Sequence, residues 1–256
     1  VGLIILALVP GLGVQLAWYL PPEGERALGE RTMGLIREAL NDSNFAELPL
    51  CDTPSGSAAL NRIQARLTDD LDLPYQVTVH VLDHPLVNAF ALPGGFVVFF
   101  RGLIEAAETP DEVAAVFAHE LGHVVNRDPA RGALRTAGSI GVLGLLLGDF
   151  AGGTVVLFLA ERLINATYSK KAEAAADVFA HRTLAAAGIP PSSMATIFQR
   201  LRDKYGEDEG IVAHFAAHPS LGDRIASARA ADTRLTRAPR PALSDTEWRA
   251  VRAICG

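Results

Sequence analysis

The chain has 256 residues, which is enough for one domain with a buried core. Its 23 Lys and Arg residues against 29 Asp and Glu residues give a formal net charge of −6, and the basic residues are scattered along the sequence. Because nucleic-acid-binding proteins need a basic surface to neutralise phosphates, this pattern argues against nucleic acid as a partner.

The first 20 residues form an apolar segment. Residues 1–20 contain no charged side chain and match a membrane span in length. Pro10, Gly11 and Gly13 would kink such a helix, and a hydrophobic arm packed on the domain or a signal-peptide core are alternatives. We favour a membrane anchor and assign residues 21–256 to a single domain.

Two helices are predicted next. Periodic apolar residues indicate a helix from about Glu23 to Leu40 and another over residues 57–71, where Leu60, Ile63 and Leu67 share a face. Residues 54–56 are predicted to belong to the turn-rich stretch between them.

A short β-rich region follows. Gln76–Leu82 alternates and is rich in β-branched residues, which favours a strand. Val87–Leu92 and Phe96–Phe100 flank the turn Pro93–Gly95 and predict a hairpin. The remaining chain is mostly helical in pattern, so the predicted fold is α+β, a helical body with a small β-sheet.

The strongest functional signal is HELGH at residues 119–123. Its helix is predicted to begin with Thr109 as N-cap, Pro110 in the first turn and Glu112 completing a capping box. His119 and His123 are one helical turn apart, so both imidazoles project from one face and can bind one metal ion.

Two imidazoles and one carboxylate as ligands, with a second glutamate for hydrolysis, favour zinc and leave one coordination position open. Glu120 lies between the two histidines in sequence and is predicted to act as the general base that takes a proton from an activated water molecule. The alternative is a chance HExxH sequence on an ordinary amphipathic helix.

A third ligand is predicted on a second helix, Tyr168–Ala187, which ends at Gly188 and Pro190. Glu173 is the candidate ligand, and Asp177 is one turn further along, where it would accept a hydrogen bond from a ligand imidazole. Both carboxylates lie among alanines. The alternative is two solvated carboxylates on an exposed helix face.

Four motifs together resemble one family. HELGH, the ExxAD sequence from Glu173 to Asp177, NAFALPGG at 88–95 and HPSLGDR at 218–224 are similar to the HtpX and CAAX prenyl protease family. That family also contains periplasmic, BepA-like peptidases of outer-membrane quality control and a mitochondrial inner-membrane member.

The resemblance implies a zinc-dependent endopeptidase with one Zn²⁺ per chain that cleaves unfolded or misassembled proteins near a membrane. The implied location is membrane-associated, in the bacterial periplasm or on the inner membrane facing the periplasm.

Further site residues are implied only by the resemblance. A substrate peptide would lie along an edge strand by β-augmentation. That strand would contain Asn88, Ala89 and Phe90. His218 would approach the zinc ion, either blocking its open position or stabilising the oxyanion, and His214 competes for this role. Arg224 would orient the loop that contains His218 or assist His218.

Two positions depart from the family pattern: Lys170 stands where Arg is usual, and Asp128 stands where many members have His. Neither is predicted to be a metal ligand.

A second apolar segment, residues 139–160, separates the two metal-binding helices. Asp149 near its middle favours a buried or interfacial helical hairpin over a full membrane span. We hypothesise a self-inhibited state in which His218 or this hairpin blocks the substrate. A chaperone-like peptide binder with little proteolysis is the alternative function, although an intact Glu120 argues against it.

The two cysteines, Cys51 and Cys255, leave two interpretations open. They are either unrelated buried thiols or an extracytoplasmic disulfide.

Overall fold

The computed structural model describes residues 15, 17–40, 47–136, 168–205, 221–235 and 237–256. The helices are α1 (Pro22–Ala39), α2 (Pro54–Thr68), α3 (Arg101–Ala106), α4 (Pro110–Val125), α5 (Lys170–Ala186), α6 (Ser192–Tyr205), α7 (Leu221–Ala230) and α8 (Asp245–Arg252). The strands are β1 (Thr78–Leu82), β2 (Ala89–Leu92) and β3 (Phe96–Phe100). Residues 128–136 are also helical. This mostly helical domain with one small sheet confirms the predicted α+β class.

The three strands form one mixed sheet in the order β1-β3-β2. β2 and β3 are antiparallel and form the predicted hairpin, whereas β1 runs parallel to β3. Gly94 and Gly95 have φ values of 75° and 88° in the turn of the hairpin. Glycine is favoured there because side chains with a Cβ atom rarely adopt positive φ.

The sheet is buried on both faces, because successive side chains of a strand point to opposite sides. Val97 and Phe99 belong to the larger core, which includes residues of α2 and α4. Val98 and Phe100 lie on the other face in a smaller core with Ile36 of α1. The sheet therefore positions α4 on one side and α1 on the other.

Helix α2 begins at Pro54, so the prediction that residues 54–56 form a turn was wrong. Thr53 is the N-cap, and Pro54 occupies the first turn of the helix. Proline is well suited to this position, since its fixed φ is helical and the N–H that it lacks would have no partner within the helix.

Helix α4 begins as predicted, but its capping box does not form. The Thr109 side chain accepts a hydrogen bond from the backbone N–H of Glu112, as expected of an N-cap. The Glu112 carboxylate instead accepts from the Glu108 N–H and binds Arg200 of α6. A charged guanidinium is a stronger partner than a backbone amide, which accounts for the difference.

Cys51 and Cys255 form a disulfide, with their Cα atoms 4.4 Å apart. Cys51 precedes α2 and Cys255 follows α8, and these two helices pack against each other. The bond therefore ties the C-terminal helix to the start of the domain.

No helix within the described ranges is both long and apolar enough to cross a membrane. Most of residues 1–20 and all of residues 139–160 lie outside those ranges. The membrane anchor and the helical hairpin therefore stay predictions.

Candidate metal centre

Helices α4 and α5 pack directly against each other. Gly122 of α4 lies so close to Ala176 of α5 that a Cβ atom on Gly122 would come within 2.9 Å of the Ala176 Cα atom. The glycine of HELGH and the alanines of α5 therefore allow a close approach of the two helices. This approach brings Glu173 beside the two histidines.

Three buried side chains converge between these helices: His119, His123 and Glu173. The two Nε2 atoms are 3.2 Å apart. His119 Nε2 is 3.2 Å from one Glu173 oxygen, and His123 Nε2 is 3.4 Å from the other. Ligands at about 2.0–2.2 Å from a tetrahedral zinc ion are separated by about 3.3–3.6 Å. Both the donor types and their spacing therefore fit a zinc ion.

The pKa values describe an acidic environment around the two imidazoles. Burial acts to lower the pKa of His119, but hydrogen bonds with Asp177 and Glu173 outweigh it and raise that pKa. Burial is likewise outweighed at His123, whose hydrogen bonds with Asp128 and Glu173 raise its pKa to about 9. Burial acts to raise the pKa of Glu173, but the two histidines hold it well below its usual range. The site therefore attracts positive charge, as a metal centre requires.

Asp177 supports His119 from behind. Its Oδ1 atom is 2.9 Å from His119 Nδ1, so Nδ1–H donates to the carboxylate and Nε2 keeps its lone pair for a metal. Arg224 of α7 donates two hydrogen bonds of 2.7 Å to Asp177. The Arg224 guanidinium also lies 4.5 Å from the centre of the Phe198 ring. Arg224 thus orients the carboxylate that orients His119.

Asp128 makes the corresponding contact with His123, which sequence reasoning missed. Its Oδ2 atom is 3.0 Å from His123 Nδ1, and the residue is buried. In an uninterrupted helix, a residue five positions after His123 would point to a different side. The turn at Asn126 and Arg127 ends α4 and returns Asp128 to the histidine.

Tyr168 is a second site residue that sequence reasoning missed. The sequence predicted it as the start of a helix, but α5 begins at Lys170. Its ring lies 4.2 Å from the His123 ring, centre to centre. Burial and then the charges of Glu120, Asp128 and Glu173 raise the pKa of Tyr168 well above its usual value. Tyr168 therefore covers one side of the cluster as a neutral phenol.

Glu120 is fully buried on the same helical turn as the two histidines. Its charge contributes to the raised pKa values of both His123 and Tyr168. The Glu120 carboxylate therefore lies close to the His123 and Tyr168 side chains.

The predicted substrate strand lies at an edge of the sheet. Within the described part of the chain, β2 pairs with β3 alone, and it packs against α4. Asn88, Ala89 and Phe90 are buried. His218 and its competitor His214 lie outside the described residues.

Comparison with known proteins agrees with this geometry. Residues 54–232 match Peptidase family M48. The chain is 34% identical over 142 residues to mitochondrial metalloendopeptidase OMA1 of Arabidopsis thaliana. It is 28% identical over 243 residues to a putative beta-barrel assembly-enhancing protease of Vibrio cholerae, and 32% identical over 148 residues to metalloprotease LoiP of Escherichia coli.

These three alignments cover 56%, 86% and 54% of this chain. They cover 29%, 46% and 56% of the respective relatives, so the matched region is about half of each relative or less.

Proposed function

The chain belongs to peptidase family M48, and from that premise we propose that it is a zinc-dependent endopeptidase. Its proposed substrates are unfolded or misassembled proteins at a membrane. One observation carries the proposal: His119, His123 and Glu173 are buried together at the separations of tetrahedral zinc ligands.

In this proposal His119, His123 and Glu173 hold one zinc ion per chain. A bound zinc ion would supply Lewis acidity, which polarises the scissile carbonyl and acidifies water. Asp177 and Asp128 keep the two imidazoles in the tautomer that presents Nε2, since each accepts the Nδ1 proton.

Glu120 is the proposed general base. It accepts a proton from the attacking water and returns it to the nitrogen of the departing amine as the C–N bond breaks. Its burial on the ligand turn supports this role, because a carboxylate shielded from bulk water stays next to the reacting atoms.

The proposed substrate-binding mode is β-augmentation along β2. An extended peptide adds to the edge of a sheet through main-chain hydrogen bonds, which are largely independent of side-chain sequence. Such a mode suits unfolded substrates, and β2 is an edge strand beside the ligand helix. The name of one relative, a putative beta-barrel assembly-enhancing protease, supports substrates that are associated with membranes.

The proposed location is the bacterial periplasm or the periplasmic side of the inner membrane. The Cys51–Cys255 disulfide supports an oxidising compartment, because such bonds persist mainly outside the cytosol.

The test combines zinc content, by mass spectrometry, with casein cleavage. The full chain is compared with Glu120→Gln and with the control Glu105→Gln, which changes an exposed carboxylate on α3. All three proteins should carry about one zinc ion, and only Glu120→Gln should lose cleavage, by about 10²- to 10⁴-fold. Zinc without cleavage in every protein would indicate the self-inhibited state, and His218→Ala would then be examined. Absence of zinc from protein purified without chelators would refute the proposal.

A further inference from the structure

Arg127 has an unusual backbone conformation next to the metal centre. Among the described residues it is the only non-glycine with positive φ, at 55°. A side chain disfavours this left-handed conformation, which persists only where surrounding contacts hold it. Arg127 follows Asn126, the C-cap of α4, and directly precedes Asp128. Its conformation therefore determines where Asp128 is placed.

The contacts that hold Arg127 come from the N-terminal part of the domain. Arg127 Nε donates to Glu25 Oε2 at 2.9 Å, and Nη2 donates to the Leu20 carbonyl oxygen at 2.8 Å. Tyr75 donates its hydroxyl to the other Glu25 oxygen at 3.3 Å. Glu25 is 1% exposed and the Arg127 side chain is 20% exposed, so the carboxylate side of this ion pair is shielded from water.

Glu25 lies on α1, and residues 20–39 precede the region that matches the peptidase family, residues 54–232. Helix α1 contributes none of the three donor side chains. Its connection to the metal centre runs through one ion pair, one turn and one carboxylate. Glu25 forms an ion pair with Arg127, and Arg127 has the left-handed conformation of the turn. Asp128, the next residue, accepts a hydrogen bond from His123 Nδ1.

We propose that Asp128 is a positioning residue for His123, and that Glu25 on α1 keeps Asp128 in place by holding the left-handed turn at Arg127. The inference rests on the proposed zinc site. It makes the N-terminal helix part of the metal-binding unit, although that helix lies outside the family match.

The direct test measures the zinc dissociation constant of the full chain by competition with a fluorescent chelator. Asp128→Ala should raise this constant by about 10- to 100-fold, as loss of a ligand's hydrogen-bond partner does elsewhere. Asp128→Asn should have a smaller effect, because it keeps an oxygen that accepts the Nδ1 proton. Glu30→Gln is the control, since Glu30 lies on the same helix and makes only an exposed ion pair with Arg26 among its described contacts. It should bind zinc like the wild type.

Glu25→Gln should weaken zinc binding several-fold. It should have no further effect once Asp128 is alanine, because both changes act through the same contact. Additive losses, or a lower melting temperature with an unchanged zinc dissociation constant, would overturn the proposal and leave Glu25 a purely structural role.

A second comparison tests the backbone conformation at residue 127 by itself. It compares two variants with each other, so it does not depend on the stability of a single variant. In the Glu25→Gln protein, which already lacks the ion pair with Arg127, Arg127 is replaced by glycine or by alanine, and both changes remove the same guanidinium. Glycine accepts positive φ freely and alanine does not. The glycine variant should therefore bind zinc more tightly than the alanine variant. Equal zinc affinities of the two variants would contradict the proposed role of the turn. Wild-type protein that binds no zinc at all would refute the proposed function itself.

Discussion

Replacing Gly122 by alanine tests whether the proposed metal centre depends on the close approach of α4 and α5. The new Cβ atom would lie 2.9 Å from Cα, 3.1 Å from O and 3.2 Å from Cβ of Ala176. Optimal contacts between carbon atoms are about 3.5–4.0 Å. Two of the three contacts involve backbone atoms, which cannot rotate away. The helices must therefore move apart by several tenths of an ångström.

The size of the effect follows from two opposing contributions. Overpacking of this kind costs about 1–3 kcal/mol, while replacing glycine by alanine inside a helix gains about 1 kcal/mol. Gly34 of α1 provides the matched control, because a Cβ atom there would meet nothing within 4 Å. Gly34→Ala therefore reports the helix-propensity gain alone. The metal-free Gly122→Ala protein should be less stable than Gly34→Ala by about 1–3 kcal/mol.

Thermal unfolding followed by circular dichroism measures this difference, which corresponds to about 2–12 °C in melting temperature for a chain of this size. Gly122→Ala should also bind zinc more weakly, because Glu173 lies one turn before Ala176 and would move away from the imidazoles. Gly34→Ala should bind zinc normally. A Gly122→Ala protein that melts no lower than Gly34→Ala and binds zinc like the wild type would refute the reasoning.

Four further outcomes are expected. Replacing both Cys51 and Cys255 by serine should lower the free energy of unfolding by about 4–5 kcal/mol, measured by urea denaturation, because the bond closes a loop with a sequence separation of 204. In the metal-free protein, the pKa of His123 is raised to about 9, against 6.5 in the unfolded chain. Protonation of His123 should therefore stabilise the fold below pH 6.5, and this stabilisation should be lost as the pH rises through 9. Zinc binding at pH 7 should consequently release protons, detected by calorimetry in buffers of different ionisation enthalpy, and the release should decline above pH 9. Arg224→Ala should lower the free energy of unfolding by about 3–5 kcal/mol, measured by urea denaturation, because it leaves the buried Asp177 carboxylate without its bidentate partner. A decrease of less than about 1 kcal/mol would contradict this.

Much of the fold could be predicted from local sequence patterns. The hairpin was correct because two short apolar runs and the Pro-Gly-Gly turn between them are neighbours in the sequence. The resemblance drawn from four motifs is confirmed by the match to peptidase family M48. The start of α2 was missed because a proline followed by Ser and Gly is typical of both a turn and the first turn of a helix. Contacts with the rest of the domain decide between the two.

Distant partners explain the other differences. Glu112 has the spacing of a capping box, but Arg200 binds its carboxylate from a position 88 residues away. From the sequence, Asp128 is only a departure from the family pattern, at a position where many members have His. In an uninterrupted helix this residue would point away from His123. The left-handed residue that brings it back has no signature in the sequence, since the glycine or asparagine usual at such positions is absent.

The sequence by itself determined the chemistry of the candidate site. His119 and His123 share a helix face because they are four residues apart, and this relation depends only on helix geometry. Tertiary structure alone decided what surrounds them. Arg224 reaches Asp177 across 47 residues, and Arg127 reaches Glu25 across 102. Such contacts depend on how the helices pack, and packing is set by the burial of the whole apolar core, not by any local pattern.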